Sequence, residues 1–195
     1  MIALLDNHDS FVYNLVDALS GYDTIVFRNT VNADDILARN PDLIVLSPGP
    51  GYPVNAGCMM ELIAKAQGRV PLLGICLGFQ ALVEHHGGRV VPCGPVHGTS
   101  ISMQLNEAGR NFPVFAGMGE NVPVARYHSL GTVSVPEGMH ALAHTDTAIG
   151  TVVMAASSND GMSLGLQFHP ESILTPAGPI MLERCVTFLA QKGVY

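Results

Sequence analysis

The length, composition and charge of this chain already exclude several classes of protein. It has 195 residues, of which 48% are hydrophobic and 13% are charged, so it is neither disordered nor highly charged. Its 9 lysines and arginines against 16 aspartates and glutamates give a net charge of −7, which argues against binding to a nucleic-acid backbone. We expect one domain over residues 1–195, with a substantial buried core.

The sequence shows no signal for a membrane or an oxidising compartment. No segment approaches the roughly 20 consecutive apolar residues that a spanning helix needs. The first ten residues have neither a basic leader nor a long apolar stretch, and the spacing of the four cysteines matches no zinc site or redox pair. We therefore expect a cytoplasmic protein without a signal peptide, in which free thiols are the default.

Strand and helix patterns alternate through the first half of the chain. Short apolar runs predict strands at 2–5, 24–27, 43–46 and 70–75. Apolar stripes at helical spacing predict helices that start after Asp9 or Ser10, over 33–38, over 56–66 and from Leu77. Because fully apolar strands alternate with helices, the pattern indicates a mostly parallel sheet with helices on both faces.

The second half has a different pattern. Short β-like runs at 122–127, 150–155 and 163–168 are separated by Gly, Pro, Asn and Asp, which predicts antiparallel hairpins that extend the same sheet. A last helix is predicted over 176–191. The fold class is therefore a single α/β domain.

Cys76 is the candidate nucleophile. It lies in Gly74-Ile75-Cys76-Leu77-Gly78, a Gly-x-nucleophile-x-Gly arrangement with sulfur in place of the usual serine oxygen. Such a turn presents the thiol at the carboxyl edge of the sheet, where open α/β sheets bind ligands, and the following helix N-terminus favours the thiolate. The alternative is a small buried hydrophobic residue, which is the role that we assign to Cys58, Cys93 and Cys185.

His169 is the candidate base, because a cysteine nucleophile needs a base and the base needs an orienting group. A predicted strand runs directly into His169-Pro170-Glu171. Pro170 favours an extended conformation of the residue before it, and extended residues two apart point to the same side. Glu171 can therefore reach the imidazole. The alternative is an exposed histidine at a strand end beside an ordinary surface acid.

Other histidines fit a site less well. His140 and His144 have the spacing of two metal ligands on a helix, but Pro136 and Gly138 disfavour a helix there. The pair His85-His86 closes a predicted helix, where its charge would be favourable.

Two loops that follow strands have features of a site. The segment 47–51, Ser-Pro-Gly-Pro-Gly, is stiffened by two prolines, and its two glycines expose backbone N–H groups that could stabilise an oxyanion. A phosphate loop is a weaker interpretation, because the glycine spacing fails and no Gly-Lys-Ser/Thr follows. The segment 126–130, Arg-Tyr-His-Ser-Leu, is a second polar loop.

Taken together, these runs resemble the class I, or triad-type, glutamine amidotransferases. The segments that carry the resemblance are 74–80 and 167–172. Three further segments, 6–15, 46–51 and 127–130, are similar to the glutaminase subunits of anthranilate synthase and of aminodeoxychorismate synthase. The resemblance covers essentially the whole chain.

The resemblance implies a role for individual residues. Cys76 would be the nucleophile, His169 the base and Glu171 its orienting partner. Backbone N–H groups of Gly49 and Leu77 would form the oxyanion hole. The residues that would hold glutamine are Gly49, Pro50, Gly51, Gln80, Ser129 and Leu130.

Two positions depart from the family pattern. The residue before Gln80 is often histidine in this group and is Phe79 here, which changes local packing rather than chemistry. Thr99, which follows His97-Gly98, replaces a commonly basic residue, so the role of that loop stays open.

The resemblance also implies the reaction and a partner. The thiolate would attack the side-chain amide of L-glutamine, and the resulting glutamyl thioester would be hydrolysed without metal or organic cofactor. A chain of this length leaves no room for an acceptor-binding domain, so ammonia would pass to a separate chorismate-binding synthase subunit in a hetero-oligomer.

Three alternatives stay open. The acceptor pathway could be tryptophan biosynthesis or, through aminodeoxychorismate, folate biosynthesis, and one subunit could serve both. The chain could also be a non-catalytic subunit that only binds, or a cysteine peptidase or other thiol hydrolase.

Overall fold

The computed structural model describes residues 1–94, 98–148 and 150–193. Its strands, in chain order, are β1 (Ile2–Asp6), β2 (Thr24–Arg28), β3 (Leu43–Leu46), β4 (Leu72–Ile75), β5 (Val91–Pro92), β6 (Thr99–Leu105), β7 (Asn121–Arg126), β8 (Leu130–Gly131), β9 (Met139–Thr147), β10 (Gly150–Ser158) and β11 (Ser163–Leu166). Its helices are α1 (Val12–Ala18), α2 (Ala33–Leu37), α3 (Met59–Ala66), α4 (Leu77–His85), α5 (Glu107–Arg110) and α6 (Gly178–Ala190).

Nine strands form one central sheet in the order β2-β1-β3-β4-β11-β10-β9-β6-β7. The five strands from β2 to β11 are mutually parallel, and the remaining strands join the sheet in antiparallel pairs. The predicted α/β domain, with a parallel sheet and an antiparallel extension of the same sheet, is confirmed. β5 and β8 form a small separate pair.

Helices cover both faces of the parallel strands, as their fully apolar sequences predict. Alternate residues of a strand point to opposite faces. On β1, Leu4 joins the cluster that includes residues of α1 and α6, whereas Ala3 and Leu5 join the cluster that includes residues of α2, α3 and α4. Every residue of β1, β3, β4 and β11 is buried.

Several predicted boundaries are wrong, and local contacts explain them. Helix α3 begins at Met59 rather than at 56, because Gly57 has φ 55° and packs so closely on Asn29 that a Cβ there would lie 2.1 Å from its carbonyl oxygen. Helix α1 begins at Val12 without a side-chain cap; the Asp9 carboxylate instead accepts a hydrogen bond from the Phe11 N–H at 2.6 Å.

Two strands of the antiparallel half, β6 and β9, were not predicted from the sequence. β6 has only two buried residues among its seven, and β9 carries polar side chains along with apolar ones, so neither forms an apolar run. Both strands exist because their neighbours supply hydrogen bonds: β6 pairs with β7 and β9, and β9 pairs with β10.

Two kinds of feature are absent from the described residues. Within the described ranges, no helix has the length and apolar character needed to cross a membrane. In the same part of the chain, no group of three or more His, Cys, Asp or Glu side chains could hold a metal ion.

Candidate active site

Cys76 occupies a strained turn between β4 and α4. Its backbone has φ 51° and ψ −100°, in a region that non-glycine residues seldom adopt. The Cys76 N–H donates to the Leu166 carbonyl at 2.8 Å, and its own carbonyl accepts from the Gln80 N–H at 3.0 Å. Neighbouring strand β11 and the first turn of α4 therefore hold the turn in place.

The flanking glycines provide space rather than conformational freedom. A Cβ on Gly74 would lie 2.5 Å from the Gly78 carbonyl oxygen, and a Cβ on Gly78 would lie 2.4 Å from the Leu46 carbonyl oxygen. Neither glycine has a positive φ; Cys76 has it instead. The predicted tight turn is present, and its glycines let α4 pack directly on β3 and β4.

His169 and Glu171 form a buried pair just after β11. The distance from His169 Nδ1 to Glu171 Oε1 is 2.7 Å, and the two side chains are 3% and 0% exposed. Two aromatic rings pack on the imidazole: its centroid lies 5.2 Å from that of Phe11 and 5.0 Å from that of Tyr127. The Thr175 hydroxyl donates to the His169 carbonyl at 2.7 Å, so ring and backbone are both held.

Opposing influences act on the pKa of His169. Burial, the largest of them, lowers it, but the hydrogen bond and charge of Cys76 and then those of Glu171 together raise the pKa to about 10. The imidazole is therefore expected to be protonated at neutral pH, next to the sulfur.

A cavity of about 580 Å³ opens at the carboxyl edge of the parallel strands. Eight of the ten predicted site residues line it: Gly49, Pro50, Gly51, Cys76, Gln80, Ser129, Leu130 and His169. Its other lining residues are Asp9, Phe11, Tyr52, Pro92, Gly94, Tyr127 and His128. Chain segments far apart in the sequence thus meet at one site, as expected for an open α/β sheet.

The two remaining predicted residues lie just outside the cavity wall. Leu77 is the first residue of α4, and its side chain packs on Gly49, where a Cβ would lie 2.8 Å from Leu77 Cδ2. The Leu77 side chain therefore lies against the backbone of Gly49. Glu171 lines a separate cleft, together with the 94% exposed Ile173.

Gln167 belongs to the site and was not predicted from the sequence. Its Nε2 lies 3.7 Å from the Cys76 sulfur, and its Oε1 accepts from Gln80 Nε2 at 3.2 Å. Gln80 Nε2 also donates to the Leu130 carbonyl at 3.0 Å. A signal existed, because Gln167 stands two residues before His169 in the predicted strand 163–168, and alternate residues of a strand share a side; in the structure β11 ends at Leu166.

His128 was also not predicted, because its loop looked like an ordinary polar connection. His128 lines the cavity, yet the residue is only 5% exposed. Burial, and next the positive charge of Arg126, lower the pKa of His128 to about 4. The cavity therefore contains two histidines that differ in charge: a protonated His169 and a neutral His128.

None of the other three cysteines lines the cavity. Cys185 is fully buried in the core, and burial raises the pKa of its thiol far above the usual value. Burial also raises the pKa of Cys58, which precedes α3. Cys93 is buried between two cavity-lining residues, with its sulfur 3.6 Å from His128 Nδ1.

The positions that depart from the family pattern have distinct surroundings. Phe79 is fully buried, and its ring lies where a Cβ on Gly165 would come within 2.1 Å. Phe79 therefore packs on β11, and the predicted effect of this departure on local packing stays a prediction. Thr99 is exposed and pairs with Arg126 at the start of β6, and His97 lies outside the described residues.

His140 and His144 lie on strand β9, so the expectation that they are not on a helix is confirmed. His85 ends helix α4, and His86 is its C-cap, as predicted.

Comparison with known proteins agrees with this fold. The profile of the family "Glutamine amidotransferase class-I" matches residues 3–188. The chain therefore belongs to the class-I glutamine amidotransferases.

Two similar proteins indicate which kind of class-I glutamine amidotransferase this chain resembles. The chain is 58% identical to "Anthranilate synthase component 2" of Corynebacterium glutamicum, over 95% of this chain and 96% of that protein. It is 47% identical to "Anthranilate synthase component 2, pyocyanine specific" of Pseudomonas aeruginosa, over 99% of this chain and 96% of that protein.

Solved structures show the same fold at lower identity. A glutamine amidotransferase from Methylobacillus flagellatus matches with a TM-score of 0.67 at 18% identity, covering 88% of this chain and 70% of that one. A GMP synthase protein from Thermoplasma acidophilum matches with a TM-score of 0.82 at 22% identity, covering 97% and 94% of the two chains. This structural likeness supports the fold alone.

Proposed function

We propose that this chain is the glutaminase subunit of an anthranilate synthase. It hydrolyses L-glutamine and delivers ammonia to a separate, chorismate-binding synthase subunit in tryptophan biosynthesis, in the cytoplasm. The observation that carries this proposal is the single cavity that brings Cys76 and His169 together with Gln80, Ser129 and Leu130. The names of the relatives at 58% and 47% identity support the choice of synthase.

In the proposed first step, the Cys76 thiolate attacks the side-chain amide carbon of glutamine. Charge then builds up on the amide oxygen, and backbone N–H groups of Gly49 and Leu77 stabilise it. The protonated His169 gives its proton to the amide nitrogen. The C–N bond breaks, ammonia leaves, and a glutamyl thioester forms on sulfur.

In the proposed second step, His169 acts as a base and water attacks the thioester. The now neutral His169 takes a proton from a water molecule, which attacks the thioester and releases glutamate and the thiolate. Glu171 keeps Nδ1 of His169 protonated through both steps, because its carboxylate accepts that hydrogen bond at 2.7 Å. Gly49 to Gly51, Gln80, Ser129 and Leu130 hold the glutamine. No step requires a metal or an organic cofactor.

The proposed partner subunit is the one that uses the released ammonia. Free ammonia in neutral water becomes ammonium and loses its nucleophilicity, so a sheltered route to an acceptor is needed. The name "component 2" of the relatives supports a partner on a second chain, and we propose a hetero-oligomer. We also expect the isolated chain to be a poor glutaminase that the partner activates.

Co-purification with synthase subunits of the same organism tests this proposal. We expect the chain to bind the subunit of anthranilate synthase that binds chorismate, and we expect the complex to form anthranilate from chorismate and glutamine. Binding only to the corresponding subunit of aminodeoxychorismate synthase would move the function to folate biosynthesis. Full glutaminase turnover by the purified chain alone would contradict activation by a partner.

A further inference from the structure

The Gln167 side chain contacts the Cys76 sulfur, although the steps above give it no task. Its Nε2 lies 3.7 Å from Sγ, a hydrogen-bonding distance for an acceptor as large as sulfur. Gln167 is 0% exposed and does not line the cavity, whereas Cys76 does. The amide of Gln167 therefore reaches the nucleophile from inside the protein.

Neighbouring hydrogen bonds determine which end of the Gln167 amide faces the sulfur. A backbone carbonyl can only accept, so the atom of Gln80 that lies 3.0 Å from the Leu130 carbonyl oxygen is the donor Nε2. That nitrogen also lies 3.2 Å from one end of the Gln167 amide, which must then be the acceptor Oε1. The other end, Nε2 with its N–H groups, is left to face Cys76.

The backbone on both sides of this contact is also held. The Cys76 N–H donates to the Leu166 carbonyl at 2.8 Å, and the Gln167 N–H donates to the Met154 carbonyl at 2.9 Å. The turn that carries the sulfur and the residue that carries the amide are therefore fixed to neighbouring strands. The amide nitrogen has a defined place beside the sulfur.

An amide N–H differs from the imidazolium of His169 as a donor to the sulfur. His169 also hydrogen-bonds Cys76, but the proposed reaction requires it to give its proton to the amide nitrogen of glutamine. The Gln167 amide has no proton to give near neutral pH. A hydrogen bond to a charged acceptor stabilises the charged form, so Gln167 favours the thiolate over the thiol without exchanging a proton.

We propose that the side-chain amide of Gln167 stabilises the Cys76 thiolate, and that Gln80 and Leu130 keep the amide in the orientation that this requires. The inference deepens the proposed function and rests on it, because it takes Cys76 as the nucleophile. In the attack, a sulfur electron pair forms the S–C bond. In thioester hydrolysis that bond breaks, its electron pair returns to sulfur, and the Gln167 N–H again faces a negative charge.

The reactivity of the Cys76 thiol at different pH values tests this proposal. The full chain is treated with iodoacetamide, which the thiolate attacks, and mass spectrometry follows the label on the peptide that contains Cys76. Gln167→Met keeps an unbranched side chain of similar length but has no N–H. Gln104→Met, at an exposed position on β6 outside the cavity, is the matched control.

We expect the midpoint of the alkylation rate on the acid side to rise by about one pH unit in Gln167→Met, as loss of one hydrogen bond to a charged group implies. Gln104→Met should keep the wild-type midpoint. In the complex with the synthase partner, the acid limb of kcat/KM for glutamine should move by the same amount. Synthesis from ammonium salt should stay at the wild-type rate, because it does not use the thiolate.

A lower alkylation rate with an unchanged midpoint in Gln167→Met overturns the inference, because Gln167 would then only pack against the turn. A higher KM for glutamine with both pH curves unchanged also overturns it. If the methionine variant does not fold, Gln167→Glu, which keeps an acceptor for Gln80 but replaces the amide nitrogen by oxygen, must raise the midpoint, and an unmoved midpoint overturns the inference.

The two assays also distinguish this inference from the proposed function. If the wild-type complex makes anthranilate from ammonium salt but not from glutamine, the proposed function fails. The alkylation midpoint of Gln167→Met is measured without the partner or glutamine, so its rise would still support the contact between Gln167 and the thiolate.

Discussion

The imidazole of His169 donates from Nδ1 to a carboxylate oxygen of Glu171 over 2.7 Å, and both side chains are almost completely buried. Little water can compete for this hydrogen bond, so it holds one ring orientation and one tautomer. Nε2 of His169 is then the ring nitrogen that can serve the Cys76 sulfur.

Replacement of Glu171 by glutamine tests this relationship. Glu171→Gln keeps the size of the side chain but removes its negative charge. We expect glutamine-dependent kcat to fall by roughly 10⁴-fold, the size of the loss when a triad carboxylate is neutralised or removed. Steady-state kinetics of the complex measure the effect, and synthesis from ammonium salt serves as the control. A loss below threefold would contradict an orienting role.

Glu171→Gln should also change the dependence of kcat/KM on pH. The Glu171 hydrogen bond and charge help to raise the pKa of His169, so their removal lowers it. His169 must be protonated to release ammonia, so activity in Glu171→Gln should decline at a lower pH than in the wild type. A measurement of kcat/KM against pH on the alkaline side tests this. A shift to higher pH would contradict the assignment.

Removal of the Cys76 sulfur should separate the two half-reactions. We expect Cys76→Ala to abolish glutamine-dependent synthesis by the complex, because no nucleophile is left, and to leave synthesis from ammonium salt intact. Cys58→Ala, at a thiol before α3, is the matched control and should retain both activities. Loss of both activities in Cys76→Ala would count against its role as nucleophile.

The close approach of α4 to β3 predicts a stability effect. In Gly78→Ala the new Cβ would lie 2.4 Å from the Leu46 backbone oxygen, so the helix must shift. We expect the free energy of unfolding to fall by about 1–3 kcal/mol, as in other overpacked sites. Gly21→Ala, where a Cβ meets no atom within 4 Å, should change it little. Equal denaturant midpoints for the two variants would contradict the packing argument.

His128 predicts a loss of stability in acid. Its pKa is about 4 in the folded chain, mainly because of burial, against about 6.5 in an unfolded chain. Below pH 6.5 the unfolded state binds a proton that the folded state refuses, so this contribution is complete above about pH 6.5 and is lost as the pH falls to about 4. It amounts to at most about 3 kcal/mol.

Urea unfolding between pH 4 and 7 measures this contribution. The free energy of unfolding of His128→Asn should depend less steeply on pH than that of the wild type. His140→Gln, at a partly exposed position on β9, should keep the wild-type slope. Parallel curves for wild type and His128→Asn would show that His128 is protonated equally in both states.

The local sequence was sufficient to predict the strands of the parallel half of the sheet. Runs such as 43–46 are apolar at every position, and in a sheet that helices cover on both faces this is what burial requires. β6 and β9 could not be predicted in the same way, because polar residues interrupt both sequences and only long-range pairing makes them strands.

The sequence by itself determined which residues can do the chemistry. Cys76 between two glycines and His169 two residues before Glu171 are local arrangements that their spacing makes recognisable. The predicted extended conformation of 169–171 is wrong: the Ser172 N–H donates to the His169 carbonyl at 3.2 Å, so Glu171 reaches the imidazole within a turn. Only the tertiary structure decided what surrounds them. Gln167 at the sulfur and His128 beside Arg126 depend on contacts between distant segments and on burial, which set charge and tautomer and leave no periodic trace in the sequence.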